Sequence, residues 1–456
     1  MKQGTELRFQ TQPVPALVVS MSAPIMFSLL VQALYNIVDS ICISSYSGHG
    51  LTAISLVFPL QLILTALGNG AGLGSGVLIS HALGVGDAER AKRLAVNGLT
   101  SAWLNWIIAL LVLLPFLSAY FRYFSHTPQV VHMGIEYGWI VVSASIFLFG
   151  EIVCTRMIQA RGNTVLPMLY QALGAILNIV MDPILVFGLG PVPSMGIRGA
   201  AIATVSGQAV ALLCALITAW HRVDFGTLKP EWSLLASIYR AGLPAMLTSS
   251  LISVYIAGLN AVLAVFSEDA VSALGIYYKI QTFLLMPTYG LEQGTLPIFG
   301  FNLGAKNYPR VWHTFRFSLL LSTVTMLAGT AMVNLFLPQI LRLFSAGPEL
   351  TATATPALHI ISLAFPLFGV TILIPTLLQA AGHLKQCLSV VLLRQVVLLV
   401  PMAKLLSHWG LIFTWFTFPI SELVAAILCV HFLMQFKRSS QCISLSRTME
   451  KTGVKA

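Results

Sequence analysis

Twelve apolar segments, each about as long as a bilayer is thick, constrain this chain more than any other feature. A helix that crosses the hydrocarbon core needs about 20 predominantly apolar residues. Only 9% of the 456 residues are charged, whereas soluble domains carry about 25%. We therefore predict an all-α integral membrane protein with twelve transmembrane helices. The predicted spans are 16–45, 52–81, 95–119, 134–158, 165–188, 197–220, 237–265, 271–300, 315–338, 355–380, 387–406 and 411–435.

Lysine and arginine predict the orientation of these spans, since basic residues concentrate in the cytoplasmic loops of membrane proteins. If both termini are cytoplasmic, most of the 25 basic residues lie on the cytoplasmic side, and only Arg122, Arg198 and Arg342 lie outside. We expect a multi-pass protein of the cell (inner) membrane. The net charge of +10 is spread over many short loops, so we expect membrane lipid and no nucleic acid as partners, and a monomer.

The second half of the chain repeats the first at an offset of 220 residues. Pro24 matches Pro244 and Gly70 matches Gly290, and further glycines and glutamines follow the same register. Each half holds six predicted spans, so an axis along the membrane normal relates two pseudo-symmetric lobes, a common transporter plan. The predicted parts are a cytoplasmic tail (1–15), six-helix lobes (16–220 and 237–435), a cytoplasmic linker (221–236) and a cytoplasmic tail (436–456).

Asp39 lies well inside the first apolar span. A charge at the bilayer centre costs roughly 2.5–3.5 kcal/mol on insertion scales, so this carboxyl should be protonated, partnered or next to water. Tyr35 precedes it by four residues and shares its helix face. Intramembrane acids are functional by default, which favours transport. The alternative is an acid near a helix end that reaches the membrane interface.

Asn178 and Asp182 form a second polar stripe, on the fifth span, and Thr204 follows early in the sixth. Together with Asp39 they offer two carboxylates, an amide and a hydroxyl, which can hold a proton or a sodium ion. The alternative is that Asp182 sits near the outer interface and pairs with Arg198.

The repeat positions of the two aspartates carry leucine (Leu259) and methionine (Met402) in the second half. The candidate coupling site therefore belongs to the N-terminal half alone.

Candidate substrate-contacting residues come mainly from the eighth span. Glu292 lies deep in an apolar run and could attract a cationic substrate, or it could neutralise Lys279. The candidates are Phe58, Gln281, Met286 and Glu292.

Several chemistries lack their sequence signatures. The six cysteines form no C-x-x-C pair, no H-E-x-x-H occurs, and no G-x-x-x-x-G-K-[ST] loop is present. We expect no disulfide framework, no resident cofactor and no ATPase motor. If the protein is a transporter, a proton or a sodium ion would then drive transport as the coupling ion.

Short motifs along nearly the whole chain resemble the multidrug and toxic compound extrusion (MATE) family. They are Tyr35-Asn-Ile-Val-Asp39, Ala53-Ile-Ser-Leu-Val-Phe-Pro59, Gly84-Val-Gly86-Asp87, Gln159-Ala-Arg161-Gly162-Asn163-Thr164, Asn178-Ile-Val-Met-Asp182-Pro183, Gly196-Ile-Arg-Gly199-Ala-Ala-Ile-Ala-Thr204, Gly242-Leu-Pro244, Asn302-Leu-Gly304-Ala and Gln379-Ala-Ala-Gly382.

The resemblance implies a twelve-helix antiporter that exports organic cations and other drugs in exchange for protons or sodium. The chain is similar to the DinF/MepA-like branch. That likeness implies a proton or sodium site at Tyr35, Asp39, Asn178, Asp182 and Thr204 in the N-terminal lobe. It also implies a first helix that bends at Pro24, and, from MepA-like members, an acid near bound drug at Glu292.

The resulting hypothesis is a secondary active multidrug efflux antiporter. Protonation of Asp39 would bend the first helix at Pro24 and displace the drug. One alternative is a flippase for lipid-linked sugars on a related fold, which Lys279, Arg394 and Lys404 leave open. The other is a membrane-embedded enzyme that uses Asp39 and Asp182 as a dyad. We expect no enzymatic activity, because two rocking halves suit alternating access.

Overall fold

A computed structural model describes residues 4–189, 192–223, 225, 229–344 and 347–452. In these ranges the regular structure is helical throughout. Parts of the predicted tails and linker, residues 1–3, 224, 226–228 and 453–456, lie outside the described residues.

All twelve predicted spans coincide with helices. Within the described ranges nine helices are long and apolar enough to cross a membrane, or eleven if two bent helix pairs each count as one span. The bent pairs correspond to the fourth and tenth predicted spans, and they turn by 44° and 47°. The eighth predicted span is also a single helix, Glu268–Gly304, in which acidic and basic residues interrupt the apolar run.

The chain divides into two compact units, Met1–Ser250 and Leu251–Ala456. The first unit contains a short N-terminal helix, six spans and the start of the seventh. Its helices are α1 (Gly4–Thr11), α2 (Val14–Tyr46), α3 (Gly48–Val85), α4 (Ala88–Phe124), α5 (Pro128–Ser143), α6 (Ser145–Ala160), α7 (Val165–Phe187), α8 (Ile197–Arg222) and α9 (Trp232–Leu263).

The second unit contains the rest of α9 and the remaining spans. A π-helical segment, Leu393–Leu398, interrupts the eleventh span. The helices are α10 (Glu268–Gly304), α11 (Tyr308–Leu343), α12 (Pro348–Ser362), α13 (Phe365–Ala380), α14 (Leu384–Leu392), α15 (Leu399–Ser407), α16 (Leu411–Trp415) and α17 (Thr417–Thr452).

A glycine contact explains why the division falls inside α9 and not in the linker. A Cβ atom at Gly242 would overlap the carbonyl of Gly70 on α3, so the two backbones touch. Small residues permit such close approach between membrane helices. The first part of α9 therefore packs within the first unit. The lobe limits expected from the sequence, 16–220 and 237–435, stay a prediction.

One loop of the repeat keeps its backbone geometry although its residues differ. Gly86 ends α3 with φ of 87°, and Lys306, its repeat counterpart after α10, has φ of 56°. Asp87 and Asn307 then cap the next helices, each accepting a hydrogen bond from the backbone N–H three residues later. Lys306 is the one described non-glycine residue with a positive φ. A left-handed conformation costs a residue with a Cβ about 1–2 kcal/mol.

This pair predicts stability changes of opposite sign. Lys306→Gly should raise the free energy of unfolding by up to about 1 kcal/mol, because relief of backbone strain exceeds the added chain entropy. Gly86→Ala should lower it by about 1 kcal/mol, although no atom lies within 4 Å of the added Cβ. Thermal unfolding in detergent measures both. A lower midpoint for Lys306→Gly would contradict the strain argument.

Candidate functional site

Three helices of the first unit bring the predicted coupling residues together. Asp39 comes from α2, Asn178 and Asp182 from α7, and Thr204 from α8. The carboxyl groups of Asp39 and Asp182 are direct electrostatic neighbours. The Asn178 amide Nδ2 donates a hydrogen bond to Thr204 Oγ1 at 3.3 Å. Because 178 and 182 are one turn apart, the amide and one carboxyl share a face of α7.

This cluster is rich in acceptors and poor in donors. Asp182 is fully buried and Asp39 is 9% exposed. Asp39 Oδ1, both carboxyl oxygens of Asp182 and Asn178 Oδ1 are buried and have no hydrogen-bond donor among the residues that the structure describes. Two unpaired carboxylates in a low-dielectric interior are costly. The site therefore favours uptake of a proton or a cation.

Two tyrosines border the cluster. Tyr35 on α2 is hydrogen-bonded to Gln32 and is an electrostatic neighbour of both aspartates. Tyr137 on α5 is fully buried, and its hydroxyl accepts a hydrogen bond from Gln61 Nε2 at 3.3 Å and lies near Thr204. Sequence reasoning missed Tyr137, because a lone tyrosine in an apolar span carries no pattern.

A cavity of about 100 Å³ adjoins the cluster and is lined by residues of α2, α6, α7 and α8. Tyr35, Asn178 and Thr204 line it and also belong to the cluster, so the cavity and the carboxyl pair share a wall. The other polar lining residues are Ser28, Gln32, Glu151, Gln171 and Gln208.

Glu151 adds a third buried acid, on the cavity wall. Its side chain lies on α6 and is 8% exposed. Its Oε1 accepts hydrogen bonds from Thr155 Oγ1 at 3.0 Å and Gln171 Nε2 at 3.1 Å. Sequence reasoning missed Glu151, although an isolated acid in the fourth apolar span was a usable signal. Of the three buried acids around this cavity, it is the one held by side-chain donors.

The alternative pairing of Asp182 with Arg198 is wrong. The Arg198 guanidinium contacts the carboxylate of Glu136 on α5, and His132 Nε2 lies 3.4 Å from the same carboxylate. Asp39 is likewise buried within the first unit, so it does not reach an exposed helix end.

The candidate substrate residues are not brought together within either unit. Gln281, Met286 and Glu292 lie partly buried on α10 in the second unit. Phe58 lies on α3 in the first unit and is 55% exposed. Their contact with substrate stays a prediction.

A buried ion pair occupies the second unit. Arg394 Nε lies 2.5 Å from Glu422 Oε1, and Thr371 Oγ1 donates to Glu422 Oε2 at 2.9 Å. Arg394 stands at the start of the π-helical segment, a deformation that often marks functional sites. Arg394 was a candidate from the sequence, whereas Glu422 was not predicted. Lys279 lies over the ring of Phe344, 5.5 Å from its centroid.

Pro24, the predicted hinge, lies inside α2, which runs as one helix from Val14 to Tyr46. The proline removes one backbone donor without ending the helix.

Comparison with a protein-family model decides the family. The MatE model matches the chain twice, at residues 24–184 and 244–405. The chain belongs to the MATE family. The two matches begin 220 residues apart, which is the offset of the internal repeat. MATE proteins are membrane transporters, in agreement with the expectation from the sequence.

Curated relatives cover most of the chain. A FAD transporter of Shewanella oneidensis is 28% identical over 92% of this chain and 94% of its own length. The multidrug export protein MepA of Staphylococcus haemolyticus is 25% identical over 94% of this chain and 95% of its own length.

Solved MATE structures share the fold. A MATE structure in a bent conformation superimposes with a TM-score of 0.89, and one in a straight conformation with 0.87. Each is 25% identical and covers 96% of this chain and 99% of the solved chain. The predicted all-α membrane fold of the MATE type is confirmed.

The Asn178–Thr204 contact predicts a measurable coupling. Asn178→Ala and Thr204→Val should each lower stability. The double variant should lose less than the sum of the single losses by about 0.6 kcal/mol, the average for such bonds between membrane helices. Thermal unfolding of the four proteins measures this difference. Thr204→Ser, which keeps the hydroxyl, should retain the coupling, and strict additivity with Thr204→Val would argue against the bond.

Proposed function

We propose that this MATE protein is a secondary active antiporter that exports organic cations in exchange for protons. The observation that carries the proposal is the buried pair of Asp39 and Asp182, in which Asp39 Oδ1 and both carboxyl oxygens of Asp182 lack donors in the described part of the chain. A structural pair would be expected to bring its own donors or a counter-charge, because unsatisfied buried polar groups are destabilising. This pair instead suits a group that titrates during each transport cycle.

The shared wall between the pair and the cavity supplies the coupling. Tyr35, Asn178 and Thr204 belong to both, so a change at the carboxyl pair alters the surface that a substrate would contact. By linkage, a proton that weakens substrate binding is itself bound more weakly when substrate is present. Protonation on the outer side would therefore release the drug, and deprotonation on the cytoplasmic side would restore the cavity.

A bend of α2 at Pro24 would connect these events to movement. Tyr35 and Asp39 both lie beyond Pro24 on α2, so bending there displaces them together. Solved MATE structures called straight and bent both resemble this chain closely. They support a MATE fold that adopts two conformations.

Sodium is the alternative coupling ion. Hard cations prefer oxygen ligands from carboxylates, amides and hydroxyls. Asp39, Asn178 and Asp182 offer four buried oxygens without donors, and Thr204 adds a hydroxyl. These residues would hold the ion, which would replace the proton as the driving species.

Glu151 is our candidate anchor for the positive charge of a substrate. It faces the cavity from α6, on a different helix from either aspartate, and it is fixed by Thr155 and Gln171. A multidrug exporter accepts a wider range of substrates when one carboxylate supplies attraction and a partly open cavity imposes few shape constraints. This assignment adds to Glu292, which stays a prediction in the second unit.

A flavin dinucleotide is the second candidate substrate. The relative from Shewanella oneidensis is named a FAD transporter. Amide groups of Gln32, Gln171 and Gln208 line the cavity and could bind the edge of a heteroaromatic ring. Three nearby acids oppose a pyrophosphate unless they are protonated, which is why organic cations are our first choice.

The rival functions have less support. A sugar-lipid flippase needs a cationic cavity, but Arg394 is neutralised by Glu422, Lys279 lies over Phe344 and Lys404 is exposed. We propose no enzymatic activity. Asp39 and Asp182 form a carboxyl pair, but the family to which the chain belongs consists of transporters. We also propose cytoplasmic termini, which the basic residues favour.

Asp39→Asn tests the coupling. In proteoliposomes with a proton gradient, it should reduce ethidium export by about 5–150-fold, the usual range of coupling between two sites. Asp87→Asn is the matched control, because asparagine caps a helix as well as aspartate does. Imposed sodium gradients separate the two coupling ions, and a parallel FAD assay separates the two substrates. Export by Asp39→Asn at the wild-type rate would contradict the proposal.

Glu151→Gln tests the substrate anchor. Removing one charge while keeping the shape should raise KM for a cationic drug about tenfold, equal to 1.4 kcal/mol, and leave KM for an uncharged drug unchanged. Initial export rates over a concentration series measure both. Glu136→Gln, which removes a carboxylate of the outer Arg198 contact, is the control. An equal rise in KM for charged and uncharged drugs would mean that Glu151 only shapes the cavity.

A further inference from the structure

The proline of α2 exposes a carbonyl that another part of the chain satisfies. Pro24 has no N–H, so the carbonyl of Ser20, four residues earlier, loses its helical donor. Thr164 Oγ1, in the connection between α6 and α7, donates to this carbonyl at 3.1 Å. Thr164 is 2% exposed, so water cannot easily replace it.

The Thr164 side chain is directed to Ser20, and another residue makes the capping bond at the start of α7. Thr164 stands at the N-cap position but makes no side-chain capping bond. The side chain of Asn163 accepts the hydrogen bond from Leu166 N at 3.1 Å instead. A threonine at a helix start would ordinarily use its oxygen for that bond.

Arg8 on α1 also links the start of α2 to the connection between α6 and α7. Its guanidinium donates to the carbonyl of Gly162 and to Ser20 Oγ, each at 3.2 Å, and to Gln12 Oε1 at 3.0 Å. The neighbouring Phe9 is fully buried, so α1 is packed against the unit. The segment of α2 before Pro24 is therefore tied to the α6–α7 connection at two points.

The repeat shows that this arrangement belongs to one half. Pro244 on α9 is the counterpart of Pro24, but leucine (Leu384) stands at the position of Thr164. A leucine side chain has no donor. A hydroxyl at this repeat position is thus present only in the half that also contains Asp39 and Asp182.

We propose that Thr164 is a positioning residue for the transport cycle, which satisfies the Ser20 carbonyl and holds the inner part of α2 still while the outer part bends at Pro24. This inference rests on the proposed function, because it assigns a fixed base to the bending that moves Asp39. Without the hydroxyl the Ser20 carbonyl would lose this side-chain donor, and we expect α2 to distort before Pro24 as well as after it. Turnover should fall while the cavity, and so substrate affinity, stays the same.

Transport kinetics give the first test. Thr164→Val, which keeps the shape and removes the donor, should lower the maximal rate of ethidium export about tenfold, the effect of one typical hydrogen bond, with KM within about twofold of wild type. Thr164→Ser should restore the rate. A normal rate in Thr164→Val, or a tenfold rise in KM, would overturn the proposal.

A double-mutant cycle gives the second test and needs no transport. In Pro24→Ala the new backbone N–H can donate to the Ser20 carbonyl, so the threonine hydroxyl becomes redundant. Thr164→Val should lower the thermal midpoint in the wild-type protein and leave it unchanged in Pro24→Ala. Equal losses in both backgrounds would mean that Thr164 only fills space. If Thr164→Val cannot be purified, Thr164→Ala is compared with Thr164→Ser in the same two backgrounds.

Comparison with Asp39→Asn distinguishes failure of the proposed proton coupling from failure of the proposed role of Thr164. If it abolishes export while Thr164→Val exports normally, proton coupling stands and the role of Thr164 is wrong. If Asp39→Asn exports normally, the proposed coupling fails, and the thermal cycle alone decides whether Thr164 satisfies the carbonyl that Pro24 leaves open.

Discussion

The cost of an unpaired charge away from water is the constraint on which this structure depends. The hydrocarbon core offers no donors, so every buried carboxyl must find a proton, a cation or a hydrogen bond within the protein. In the described ranges of the first unit, three of the four carboxyl oxygens of Asp39 and Asp182 have no donor, whereas Glu151 accepts hydrogen bonds from two side chains. The same interior thus contains an acid that protein side chains stabilise and a carboxyl pair that needs a proton or a cation from solution.

The two halves answer this constraint in different ways. In the second unit Arg394 lies against Glu422, and Thr371 donates to the remaining carboxylate oxygen. A guanidinium is always protonated, so that acid has a permanent partner inside the protein. The first unit has no such cation at its carboxyl pair in the described ranges. Duplication therefore produced one half with an internal counter-ion and one half that depends on an exchangeable one.

Sequence reasoning reached the fold and the core of the site because both follow short-range rules. Twelve apolar segments became helices, and the spacing of 178 and 182 placed an amide and a carboxyl on one face of α7. Tyr137 was missed because its partner, Gln61, comes from another helix. Glu151 was missed because it is a single acid, and one of its two donors, Gln171, also lies on another helix. The partner of Arg198 was misjudged for the same reason. In the folded protein Arg198 contacts Glu136, which is 62 residues away along the chain. Sequence periodicity does not predict contacts between residues so far apart.

The loops around Gly86 and Lys306 bear on how a duplicated protein diverges. Both copies have a left-handed residue followed by a side chain that caps the next helix, although only one copy has a glycine, the residue that adopts this conformation without strain. The backbone conformation is thus the same in both copies, although the residue type differs. Lysine in this left-handed conformation costs about 1–2 kcal/mol. A shared backbone conformation can therefore reveal an internal repeat at positions where the amino acids of the two copies differ.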